Sequence, residues 1–173
     1  LLNIYAMLIN KIHSFIIIKT RHEERSVFMI PIKVLFVCIH NSARSQMAEA
    51  YLKEFGKSNF IVSSAGLIAG NLNSYAVQSM KEDGIDISNN KTKNVFDFYK
   101  EGKLFNYVIA VCDEVSAERC PIFPGNAKKL NWPFVDPSKI QGTDEEKLVE
   151  IRIIRNQIKG KVLDFIEETK SNS

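Results

Sequence analysis

The feature that most constrains this chain is an apolar run, Val34-Leu35-Phe36-Val37, that ends on Cys38 and is followed by Ile39-His40-Asn41-Ser42-Ala43 and then Arg44-Ser45. Consecutive apolar residues bounded by polar ones read as a buried strand. A helix follows over roughly 45–55, with Met47, Ala48, Tyr51, Leu52 and Phe55 at helical spacing and Gly56 as its stop. The five residues between the cysteine and the arginine are enough for the backbone to curl round a tetrahedral anion. Their N–H groups then converge on it, as they do at helix N-termini and in backbone nests. Arg44 supplies a planar, permanently charged fork that grips two oxygens. Amides, a helix N-terminus and an arginine around Cys38 favour its thiolate. The implied chemistry is nucleophilic attack on a phosphate-like oxyanion. A cysteine behind a strand, taken alone, is only a small buried hydrophobe. The preceding strand, the hydroxyl of Ser45 and the helix that opens there set this one apart.

The 173 residues suit one domain with a proper core. A net charge of +3 with no Lys/Arg block argues against nucleic acid as a partner. Three cysteines, an odd number, fit a reducing cytoplasm better than a disulfide-stapled secreted fold. The three histidines are His13, His22 and His40, too few and too scattered for a multi-histidine metal site or a Ser-His-Asp triad. Residues 1–28 differ from the rest and read as an N-terminal extension, or a misplaced start, ahead of a domain over 29–173. Their apolar stretch is broken by Asn10, Lys11, His13 and Ser14, whereas a membrane span needs about 20 mostly apolar residues. It also lacks a small-residue cleavage site for a secretory signal. An interfacial amphipathic helix is the alternative reading.

Strands and helices alternate from Met29 onward. Strands are expected at 33–37, 60–64, 107–111 and 128–130. Ser74 is expected to cap a helix over 75–83 that Gly84 ends, and a shorter helix covers 94–100. Thr143-Asp144-Glu145-Glu146 is a capping box, opening a helix whose apolar stripe is Leu148, Ile151, Ile154, Ile158, Val162 and Phe165. Gly160 is a weak point inside it. Alternation of this kind argues for an α/β fold, a single parallel sheet of about four strands with helices on both faces. Ligands of such sheets bind beyond the carboxyl ends of the strands, where Cys38 stands.

At these residues, over about 32–166, the chain resembles the low-molecular-weight protein tyrosine phosphatase superfamily and, within it, the thiol-dependent arsenate reductases. The resemblance rests on Cys38–Ser45, on Asp136-Pro137 far downstream, and on Val111-Cys112-Asp113-Glu114 with Arg119-Cys120-Pro121 and Pro124-Gly125. Gly84-Ile85-Asp86-Ile87-Ser88 also looks like the reductases. Ser138-Lys139 follow Asp136-Pro137, where phosphatases tend to carry aromatic residues. The resemblance implies a phosphatase-I-like fold, a cytoplasmic and monomeric enzyme, arsenate as substrate with phosphate and sulfate as competing anions, thioredoxin as reductant, and no tightly bound cofactor.

It also implies roles. Ile39, His40, Asn41, Ser42, Ala43 and Arg44 hold the oxyanion while the Cys38 thiolate attacks arsenic. Ser45 hydrogen-bonds that thiolate, Asp136, initially protonated, donates a proton to the departing oxygen, and Asn41 braces the loop. Cys112 then attacks Cys38, Cys120 attacks Cys112, and a dithiol resets the pair. Eight positions along one helix would separate Cys112 and Cys120 by roughly 12 Å, beyond the ~7 Å reach of a disulfide. The 113–119 segment is therefore expected to loop or unwind. A monovalent cation near Asn41, Glu49 and Ser64 is a further implication, beside the plainer reading of Glu49 as an ordinary helix carboxylate.

The chain also departs from its relatives. His40 stands where a glycine is common, and serves either to tune Cys38 or as a plain loop residue facing solvent. Ala43 replaces a frequent second loop cysteine, so the loop cannot close an internal disulfide. The Cys112–Cys120 interval is one residue longer than in some relatives. Two other functions are compatible with part of the pattern. Cys38, Arg44 and Asp136 suffice for an aryl or protein-tyrosine phosphatase, and a non-catalytic oxyanion or redox sensor would need the loop but not Asp136.

Overall fold

Leu35 and Phe36 are both fully buried although they point to opposite faces of their strand, which requires a layer of side chains on each side. The computed structural model, which describes residues 30–112 and 118–171, supplies both layers. The elements of the Pro31–Ser173 unit run β1 (Ile32–Cys38), α1 (Arg44–Gly56), a 3₁₀ turn (Lys57–Asn59), β2 (Phe60–Gly66), α2 (Ser74–Glu82), α3 (Val95–Lys100), β3 (Tyr107–Ala110), β4 (Lys128–Asn131), a second 3₁₀ turn (Pro137–Lys139) and α4 (Asp144–Ser171). The four strands form one sheet in the order β2-β1-β3-β4 with every pair parallel. The expected 1–28 extension and residues 113–117 of the expected unwinding segment lie outside the described residues. No described helix is long and apolar enough to cross a membrane.

Alternation along β1 sorts the core. Val34, Phe36 and Cys38 face one side, where Met47, Ala48, Tyr51 and Leu52 of α1 meet Ile151, Ile154, Ile158, Val162 and Phe165 of α4. Leu35 and Val37 face the other, against Ala65, Val95, Phe98, Val108, Cys120 and Phe123. Burying each large apolar side chain of this kind stabilises the fold by about 1.5–3 kcal/mol. Phe55, expected on the buried stripe of α1, is instead half-exposed. Its ring stacks on Tyr51 with centroids 5.8 Å apart, and Lys159 lies over it.

The helix ends refine the sequence reading. Thr143 and Glu146 do form the reciprocal box: Thr143 N–H donates to Glu146 Oε2 at 2.8 Å, and Glu146 N–H to Thr143 Oγ1 at 3.3 Å. The cap of α2 is Asn73 rather than Ser74, because its Oδ1 accepts from Ala76 N–H at 2.9 Å. Gly56 does not end α1 by a left-handed turn; Lys57 takes that conformation, with φ 49°. Gly56 is there for space, since a Cβ would stand 2.5 Å from the Phe60 ring. Gly84, with φ 83°, ends α2 as expected.

Candidate active site

The Cys38–Ser45 loop sits at the carboxyl end of the central strand, and its carbonyls are all engaged from outside. Leu67, Ile68, Gly70, Asn73 and Met47 donate their N–H groups to the oxygens of Cys38, Ile39, His40, Ser42 and Ala43 at 2.9–3.0 Å. Gln46 Nε2 takes the remaining one, that of Asn41, at 3.1 Å. With its carbonyls bound outward, the loop turns its N–H edge inward, and Asn41 N–H donates to Cys38 Sγ at 3.1 Å. Ala43, the residue before α1, makes no side-chain cap, so the first-turn amides of that helix stay available to an anion. Asn41 adopts φ 51°, a conformation asparagine tolerates, while His40 does not, so its Cβ strains nothing. His40 itself is exposed and Ile39 and Ser42 are partly so.

Two glycines let β2 and its continuation approach this closely. A Cβ on Gly66 would lie 2.6 Å from Asn41 N, and one on Gly70 would lie 3.1 Å from His40 Cβ. Glycine is required by proximity here, since neither residue has positive φ.

The predicted site residues around the sulfur are brought together. Ser45 Oγ is 2.9 Å from Cys38 Sγ. Asn41 Nδ2 donates to Ser45 Oγ at 2.9 Å and to Ser64 Oγ at 2.8 Å, and Ser64 Oγ donates to Glu49 Oε2. Arg44 is 4% exposed, and its Nη2 lies 3.0 Å from Asp136 Oδ2 while Nη1 donates to Phe134 O at 3.0 Å. Asp136 and Arg44 therefore meet across about half of the chain's length.

Asp136 departs from the expectation that it starts protonated. Partial burial pushes its carboxyl up, but the Ser138 N–H, the Arg44 guanidinium, the Ser138 hydroxyl and Lys139 outweigh that and hold it below the usual carboxylate range. In the ligand-free site it is an ion-paired carboxylate.

All three cysteines are buried thiols. The last β1–β3 pair is Val37 with Ala110, and Val111 N–H donates to Val37 O at 2.8 Å. Cys112 thus follows one residue past the position level with Cys38. Cys38 belongs to the α1/α4 face of the sheet and Cys120 to the opposite face. Burial pushes the Cys120 thiol up to about 11, against the opposing pull of the Lys129 ammonium. Cys120 also lines a cleft of about 470 Å³ with Val108, Ala110, Lys129, Leu130 and Asn131.

Two contributors went unread in the sequence. Gln46, fully buried, ties Asn41 to Lys91 O and receives Asn90 Nδ2. Its place beside Ser45 was the only signal available. Lys93 gives its N–H to Asn41 Oδ1 at 2.8 Å and its ammonium to Glu49 Oε2 at 3.2 Å, and nothing in the sequence ties a loop lysine to this site. Glu49 is no ordinary helix carboxylate, being 4% exposed and packed behind the loop. Nor do Asn41, Glu49 and Ser64 fit a free monovalent cation in this arrangement. Glu49 carries the ammonium groups of Lys53, at 2.5 Å, and Lys93, and Asn41 spends its side chain on Ser45, Ser64 and Lys93.

A buried cysteine in an amide-lined loop, an arginine fork and a carboxylate at the end of a parallel α/β sheet define a thiol enzyme that acts on oxyanions. The chain belongs to the family described as low molecular weight phosphotyrosine protein phosphatase, whose model matches residues 33–169. It is 39% identical over 140 residues to an arsenate reductase of Bacillus subtilis, covering 79% of this chain and 96% of that protein. A solved structure described as an arsenate reductase in the phosphate binding state superposes with a TM-score of 0.64 at 30% identity, covering 79% of this chain and 98% of the other. A thioredoxin-dependent arsenate reductase of Corynebacterium glutamicum gives a TM-score of 0.59 at 26% identity, covering 83% of this chain and 64% of that one.

Proposed function

We propose that this protein reduces arsenate to arsenite with electrons drawn from a dithiol protein, thioredoxin. The observation that carries the reading is the placement of thiols: Cys38 on one face of the sheet, Cys120 on the other, and Cys112 buried just past the end of β3. A phosphatase has no use for that series.

Arsenate displaces the Asp136 carboxylate from Arg44 and settles on the loop amides. Asp136, relieved of its ion pair beside a negative ligand, takes up a proton. The Cys38 thiolate attacks arsenic, and the displaced oxygen accepts the Asp136 proton and leaves as water. Cys112 then attacks the Cys38 sulfur. An S–S bond forms, the electron pair of the S–As bond stays on arsenic, and arsenite departs. Cys120 attacks the Cys112 sulfur, freeing Cys38 and leaving a Cys112–Cys120 disulfide, which thioredoxin reduces by exchange. Since Cys120 starts buried and protonated, it reacts only once its sulfur is exposed and ionised. Ser45 and Asn41 orient the sulfur, and Ile39, His40, Ser42 and Ala43 lend backbone amides. Phosphate and sulfate compete for the same cradle. No tightly bound cofactor is needed. A monomer in a reducing cytoplasm suits the dependence on thiols.

A second reading has its own support, since Cys38, Arg44 and Asp136 form the complete set for hydrolysis of an aryl phosphate. The test measures thioredoxin-coupled NADPH oxidation with arsenate beside p-nitrophenyl phosphate hydrolysis by the same sample. Arsenate turnover that requires thioredoxin is the expected result; ester hydrolysis with no arsenate turnover would establish the phosphatase instead.

A further inference from the structure

Hydrogen-bond direction behind Cys38 is fixed by Lys93. Its backbone N–H, which can only donate, points at Asn41 Oδ1, so the amide nitrogen of Asn41 must face the other way. The two hydrogens of that nitrogen go to Ser45 Oγ and Ser64 Oγ. Ser45, already an acceptor, has its own hydrogen left for Cys38 Sγ at 2.9 Å. Ser64, likewise an acceptor, sends its hydrogen to Glu49 Oε2. The chain of donors thus runs one way from Lys93 through Asn41 to Ser45 and the sulfur, with a branch that closes on a buried carboxylate.

That carboxylate needs a positive partner, because an unpaired buried charge is costly and its field would oppose a second negative charge on Cys38. Lys53 reaches Glu49 Oε1 from solvent, with its side chain 57% exposed. Lys93 reaches Oε2, the oxygen that takes the Ser64 hydroxyl, and is 33% exposed. Its backbone is held at both ends, by Asn41 Oδ1 and by Gly66 N–H, which donates to Lys93 O at 2.8 Å. The ammonium is therefore tethered in place. A cavity of about 250 Å³ lined by Glu49, Lys53, Glu54, Ile85, Asp86 and Asn90 leads solvent to the same carboxylate.

We propose that Lys93 is a positioning residue for the nucleophile: a built-in cation that neutralises Glu49 where a free monovalent cation would otherwise be required. The inference deepens the proposed function, because Cys38 is its nucleophile. It is tested on Cys38 itself, so it stands or falls separately from arsenate turnover.

The experiment is the rate of Cys38 alkylation by iodoacetamide near pH 6, read peptide by peptide by mass spectrometry on the full chain. It is run in potassium chloride and in choline chloride of equal ionic strength. Wild type should react equally in both salts. Lys93→Met should slow about tenfold in choline, where the Glu49 charge behind the loop loses its tethered cation, and recover in potassium, which enters by the cavity. Lys93→Arg should stay within about threefold of wild type. An unchanged Lys93→Met, a loss that neither potassium nor arginine restores, or a wild type that itself responds to potassium overturns the proposal. Should Lys93→Met not fold, the Glu49→Gln/Lys93→Met pair removes both charges together. Reactivity near wild type then supports the proposal, and a tenfold loss overturns it.

Discussion

The two ends of the reaction path are built on opposite principles. Around Cys38 the supporting groups are held in place: six loop carbonyls are engaged from outside, Asn41 and Gln46 are fully buried and bonded, and Gly66 and Gly70 bring a neighbouring segment into contact. Around Cys112 and Cys120 the strand has ended, Cys120 is buried as a neutral thiol on the far face, and a cleft adjoins it. An anion cradle gains from stiffness, since donors fixed beforehand need no reorganisation when charge arrives. A thiol that must reach two partners in turn gains from freedom. In the proposed mechanism the first task falls to the central strand and its helix, and the second to the thiols that follow β3.

The largest effects should come from removing the two thiols beyond β3. Cys112→Ser should release no arsenite, because nothing breaks the Cys38–arsenic bond. Cys120→Ser should release one equivalent and stop with a Cys38–Cys112 disulfide. Rapid-quench arsenite assays and mass spectrometry distinguish the two, and p-nitrophenyl phosphate hydrolysis should stay within about twofold in both if the halves are independent. Cutting the stiff half should damage both activities alike. Gly66→Ala pushes a Cβ to within 2.6 Å of Asn41 N, and a displaced donor set costs about 10²-fold or more in kcat. Loss of one activity without the other would mean the loop is not their common seat.

Smaller effects sharpen the contrast. With its thiol held up to about 11, Cys120 should be thiolate in only about one molecule in a thousand at pH 8. Its alkylation should climb about tenfold per pH unit above that while the protein stays folded. The sign for stability follows. Folding favours the protonated thiol, so this contribution is intact below the ordinary thiol range and is lost as pH rises from about 9 towards 11. Thermal melts across that interval should fall in wild type and fall less in Cys120→Ala. Smallest of all, Gly160→Ala in α4, where a Cβ meets nothing within 4 Å, should stabilise by about 0.5–1 kcal/mol in denaturant titrations.

What could be read from the sequence was local. The buried strand into Cys38, the Arg44-Ser45 helix start and the Thr143/Glu146 box are all decided by neighbours in the chain, and the four parallel strands follow from the alternation of elements. The sequence does not separate Asn73 from Ser74 as the cap, because adjacent polar residues both suit the position. The Arg44–Asp136 pair, the burial of Glu49 and the part taken by Lys93 were not legible, because each depends on segments far apart in sequence meeting behind one loop. Asp136 stood out only by its motif, and its ionised state required knowing what stood beside it.

The Arg44–Asp136 contact has a bearing on selectivity. The fork is already gripping a carboxylate and a backbone oxygen before any substrate arrives, so an incoming anion enters by exchange rather than into a vacant socket. Chloride or a simple carboxylate offers the arginine no more than it already holds. A tetrahedral ion with several oxygens does better, engaging the fork and the amides together while handing Asp136 back to solvent and protons. The resting enzyme thereby sets its own threshold for what counts as a ligand.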